Sequence, residues 1–159
     1  MTGGPRRGVT RGYVGGLIVA AAIVATALTV ASWGLIALGS GRDPVSSDVS
    51  PALAPLLLVA ALAMLGIALW RQALALLRGR RAVSWGVVIS LAGGAYLVWC
   101  LGGGLGGLSI DETWVSPFAA VLAPIWAASA LLFWSVLARR VYTDRPAPRW
   151  PWERDEDGE

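Results

Sequence analysis

Residues 13–38, 51–70, 82–107 and 116–138 contain no Asp, Glu, Lys or Arg. Crossing a hydrocarbon core of about 30 Å takes roughly 20 helical residues at about 1.5 Å each, and these runs meet that length. Backbone N–H and C=O groups cannot stay unpaired in hydrocarbon, so runs of this kind fold as helices. The expected fold is all-α, a polytopic membrane protein with four transmembrane helices at about 13–38, 51–72, 83–103 and 116–138. The composition of the 159-residue chain agrees: 56% of residues are hydrophobic, 14% are charged, and the mean hydropathy is +0.63.

The thirteen basic residues are all arginine, and their positions set an orientation. Arg6, Arg7 and Arg11 precede the first run. Arg71, Arg78, Arg80 and Arg81 lie between the second and third, and five more follow the fourth, whereas Arg42 alone falls in the two remaining loops. Arginine collects on the cytoplasmic side, so both termini are expected there. The net charge of +3 and pI near 9.8 therefore speak for topology rather than for nucleic acid, which is not expected as a partner. The absence of lysine resembles the bias of a high-GC bacterial genome, and the expected location is a bacterial plasma membrane. Residues 1–12 read as a basic arm, 13–138 as the transmembrane domain, and 139–159 as a disordered cytoplasmic tail that cannot bury a core.

Little chemistry is available. There is no histidine and only one cysteine, Cys100, which removes the usual zinc, haem and Cys/His nucleophile sites. No cofactor, metal or catalytic residue is expected, and the chain reads as non-enzymatic. None of the runs carries the ionisable group that ion and proton carriers keep at depth. Thr26, Thr29, Ser32, Ser90, Tyr96, Ser129 and Ser135 are the polar groups at depth, explained by local or interhelical hydrogen bonding. Gln72 reads as an interfacial residue, and Asp111 and Glu112 as a solvated loop.

Packing is the better lead. Ala82, Gly86, Ser90, Gly93 and Gly94 fall within about 120° of one helical face and form a groove into which another helix fits closely. Trp126 lies at the depth of Gly93 and is expected to seat in that groove against Gly93 and Gly94. Ser50-Pro51 and Ser116-Pro117 read as helix starts. Pro124 predicts a kink near Ala120. The glycines at 102–104 and 106–107 make helix costly, so an outer loop is expected to begin early, with a re-entrant turn as the alternative. In the tail, Arg149, Trp150 and Trp152 offer a candidate contact for a partner or the lipid surface. Function is thus expected to be that of an accessory or assembly subunit, with the lipid bilayer and a membrane-protein partner or second copy as its contacts. The alternative is a small oligomeric transporter or channel walled by the glycine-rich end of the third helix.

Overall fold

The structure, a computed structural model, describes residues 11–79 and 82–142. It is all-helical: α1 (Arg11–Ser40), α2 (Leu53–Leu77), α3 (Trp85–Leu105), a 3-10 turn (Ile110–Glu112), α4 (Pro117–Ala120) and α5 (Leu122–Tyr142). Four helical stretches are long and apolar enough to cross a membrane, the fourth running from Ile110 through α4 and α5 to Val141. The exterior between the ends is apolar, with Ile23, Leu35, Leu56, Ile67 and Ile89 all more than 60% exposed. Such a surface suits an integral membrane protein.

The helices form a ring in the order α1, α2, α3, α5, with α5 closing on α1 and also reaching α2 across the diagonal. One end gathers the α1–α2 loop and residues 109–118 around a common cavity; it is acidic, with Asp43, Asp48, Asp111 and Glu112 against Arg42. The other end carries Arg11, Arg71, Arg78, Arg139 and Arg140. Each helix buries a stripe at three- and four-residue spacing, as a 3.6-residue repeat requires. The stripes are Ala21, Ala25 and Thr29 on α1; Leu57, Ala61, Leu65, Leu69 and Ala73 on α2; Val88, Leu91, Ala95 and Trp99 on α3; and Ile125, Trp126, Ser129, Ala130, Phe133 and Leu137 on α5. The Thr26 and Thr29 hydroxyls donate to the carbonyls of Ala22 and Ala25 one turn back, as their positions predicted, whereas the buried Ser129 hydroxyl, expected to bond likewise, has no partner among the described residues.

Contact between α2 and α3 is set by glycine. A Cβ built on Gly94 would stand 2.8 Å from Met64 Sδ, one on Gly102 2.3 Å from Leu57 Cδ2, and one on Gly106 2.5 Å from Leu53 Cδ2. The partner numbers fall as the glycine numbers rise, which is the register of an antiparallel pair. The helix accordingly runs to Leu105 instead of loosening at Gly102. Each glycine costs roughly 1 kcal/mol of helix propensity, but here it admits a leucine or methionine of α2 to the α3 backbone. The end is a Schellman turn: Leu108 N–H reaches the Gly103 carbonyl and Gly107 N–H that of Gly104. Gly107 is at φ +97°, and Leu108 folds back over Gly103.

The fourth crossing breaks where Pro124 puts it. Proline has no N–H for the Ala120 carbonyl, and Val121 separates α4 from α5. Ser116 caps α4 by accepting from Phe118 N at 3.2 Å, with Pro117 next. The matching signal at Ser50 is displaced: its hydroxyl accepts from Ala52 N at 3.4 Å, and α2 opens only at Leu53.

The two kinds of α3 glycine should respond oppositely to substitution. Gly93 has nothing within 4 Å of a built Cβ, so Gly93→Ala is expected to be neutral or to stabilise by up to about 1 kcal/mol through helix propensity. Gly102→Leu should destabilise by about 1–3 kcal/mol through overpacking against Leu57. Thermal unfolding of the two purified variants in detergent checks the pair.

Candidate functional site

Three indoles inside the bundle each donate to a main-chain carbonyl on another segment, which satisfies a polar N–H away from water. Trp33 on α1 donates to Phe118 O at 2.9 Å, Trp99 on α3 to Glu112 O at 3.0 Å, and Trp126 on α5 to Ala61 O at 3.3 Å. Trp33 and Trp99 also meet edge to face, with ring centroids 4.9 Å apart. Trp126 is fully buried. Together with Leu57, Ala61, Ala95 and Trp99 it borders a small void at the middle of the ring.

The expected seat of Trp126 is therefore not the one it takes. Its N–H is received by α2, and on α3 it shares the void with Ala95, Val98 and Trp99, while a Cβ on Gly93 would meet nothing within 4 Å and one on Gly94 would meet Met64. The expected groove is divided as well. Ala82 precedes α3, Gly86, Ser90 and Gly93 are exposed on its outward face, and Gly94 is half-buried against Met64. Small size marked positions where close approach is possible but not which neighbour comes close. The buried stripe of larger residues beside it decided which way α3 faces.

At the acidic end the loops are joined by one carboxylate. Glu112 is only 7% exposed, against the expectation of a solvated side chain; Asp111 beside it is exposed. Glu112 Oε1 accepts from Ser46 N–H, from Ser46 Oγ at 2.8 Å and from Ser47 N at 2.7 Å. Oε2 accepts from Ser47 Oγ, from Ser109 N at 2.9 Å and from Ser109 Oγ at 3.0 Å. Burial alone would raise its pKa, but the bonds from Ser47, Ser109 and Ser46 together hold the carboxyl well below the ordinary range. The local part of this arrangement was visible as Ser109-Ile110-Asp111-Glu112, the Ser-x-x-Glu pattern of a capping box. The Ser46 and Ser47 half was not, because those residues lie 66 and 65 positions away.

A polar cavity of about 430 Å3 opens beside this knot, lined by Arg42, Asp43, Ser46, Asp111, Ser116 and Phe118 among others. Among the described residues no group of three His, Cys, Asp or Glu is placed to hold a metal. Of the glycines at the end of α3, Gly102, Gly103 and Gly106 are covered by Leu57, Leu108 and Leu53, whereas Gly104 is exposed with nothing within 4 Å of a built Cβ. At the arginine end Gln72, next to Arg71, is only 3% exposed, so its side chain is buried in the bundle. Arg149, Trp150 and Trp152 lie outside the described residues.

A carboxylate with a lowered pKa stabilises the fold above the ordinary glutamate value of about 4.3 and loses that contribution as pH falls toward its native value. Glu112→Gln should therefore lower stability by about 1–3 kcal/mol at neutral pH, because the amide N–H2 meets serine donors instead of accepting from them. The gap between variant and parent should narrow as pH drops below about 4.3. Thermal unfolding of both proteins from about pH 7 to about pH 3 measures it.

No curated protein and no solved structure matches the chain. One family model does, over residues 9–159. The chain belongs to the DUF6121 family, a family of unknown function.

Proposed function

We propose that this protein is a non-enzymatic accessory or assembly subunit of a bacterial plasma membrane, acting by docking a transmembrane helix of another protein on the outward face of α3. The observation that carries the reading is the bare stripe of Gly86, Ser90 and Gly93. All three are exposed, and neither glycine has an atom within 4 Å of a built Cβ. In lipid, helices associate by close packing and interhelical hydrogen bonds, which small residues and serine allow. The arginine distribution supports an orientation with the arginine end and both termini in the cytoplasm. The tail, with Arg149, Trp150 and Trp152, would then supply a second contact on that side.

Orientation is tested by labelling. In a Cys100→Ala background, Asp48→Cys and Asp111→Cys should react with a membrane-impermeant maleimide on intact cells, and Arg78→Cys only after lysis. Reaction at Arg78→Cys alone would reverse the topology.

Docking is tested by extraction of the full chain in mild detergent. A complex with a second membrane protein is expected, lost in Gly93→Leu while that variant keeps its melting temperature. Recovery of only a monomer or a homo-oligomer would overturn the accessory role.

A further inference from the structure

Position 72 interrupts a buried apolar stripe. Leu65, Leu69, Ala73 and Leu76 surround it on α2, yet the residue is glutamine with 3% of its surface exposed. Neither Gln72 Nε2 nor Oε1 has a hydrogen-bond partner among the described residues, and the same holds for Trp134 Nε1 on α5. The two side chains border one cavity of about 30 Å3, completed by Ala75, Leu76, Ala82 and Ser84. Ser84 precedes α3 and makes no cap bond to its helix, so its hydroxyl is directed to no backbone donor there.

An amide left unpaired in an apolar setting is strongly unfavourable, and an unpaired indole N–H adds to that. Two groups of this kind facing the same space indicate that the space holds their partner. Its chemistry follows from the lining. Among the described residues no ionisable side chain borders the cavity, and a charged guest would find no opposite charge among them to offset its desolvation. Trp134 N–H only donates, whereas the carboxamide both donates and accepts. The guest must therefore carry acceptor and donor together. At roughly 10–15 Å3 of such space for each water molecule, the volume fits two.

We propose that this cavity is a binding site for two water molecules that join α2, the α2–α3 link and α5 at the arginine end. One water accepts from Trp134 Nε1–H and donates to Gln72 Oε1. The other accepts from Gln72 Nε2–H and donates to Ser84 Oγ. Gln72, Trp134 and Ser84 are then paired, and α2, the link and α5 are tied through solvent.

The test reads the indole directly. In the full-length protein with 15N-labelled tryptophan in micelles, the Trp134 indole signal is assigned by its loss in Trp134→Phe. A cross-relaxation peak between that N–H and water is expected, retained in Ser84→Ala and lost in Gln72→Leu, and Gln72→Leu should not melt higher than the parent. Loss of the peak in Ser84→Ala would trace it to exchange through the hydroxyl and overturn the proposal. So would its absence from the parent, or a Gln72→Leu variant that melts several degrees higher, since a dry cavity is relieved by removing the amide.

Discussion

A carboxylate taken out of water has to be surrounded by donors, and at Glu112 that requirement organises the acidic end of the bundle. Three serines from two loops converge on it, and the Glu112 carbonyl in turn receives Trp99 from α3. The α1–α2 loop is thereby bonded to the segment that turns α3 into the fourth crossing. Tyr96 and Trp33 extend the same fastening, donating to the carbonyls of Trp114 and Phe118. An apolar bundle has no hydrophobic driving force between helices in lipid, so polar closure at its end does what exclusion from water does in a soluble core.

Within the bundle the complementary device is steric. Glycines on α3 receive Met64, Leu57 and Leu53 and fix the register of two helices that hydropathy alone would let slide. Trp126 needs space of a different kind. A ring of its size can sit at the centre only because Ala61, Ala95 and Ala130 around the middle are small and buried, and its N–H finds the Ala61 carbonyl. Small residues thus do two jobs in one layer: they bring backbones together on α2 and α3 and leave room for an aromatic between α2 and α5.

Helix number and placement were legible in the sequence because hydrocarbon leaves the backbone little choice over runs of such length. The break at Val121 was legible for a local reason, the missing N–H of Pro124. What could not be read was which side of each helix faces inward. On α3 small residues occur on two faces, Gly86 and Gly93 on one and Gly94, Gly102 and Gly106 on the other, and composition does not separate them. Gln72, read as an interfacial residue, and Glu112, read as part of a solvated loop, are both buried. Burial of a polar residue is decided by partners distant in sequence, and for Glu112 those were serines in a loop with no apolar pattern to mark them.

The two glycine faces of α3 differ in what repays them. Gly94, Gly102 and Gly106 lose helix propensity but gain contact with α2 side chains that any Cβ would displace. Gly86 and Gly93 lose the same, roughly 1 kcal/mol each relative to alanine, and within the chain gain nothing, since no atom lies within 4 Å of where a Cβ would be. Alanine would serve the isolated bundle better at both positions. Both positions therefore leave bare backbone on the outward face of α3, the kind of surface on which helices in a bilayer can approach closely.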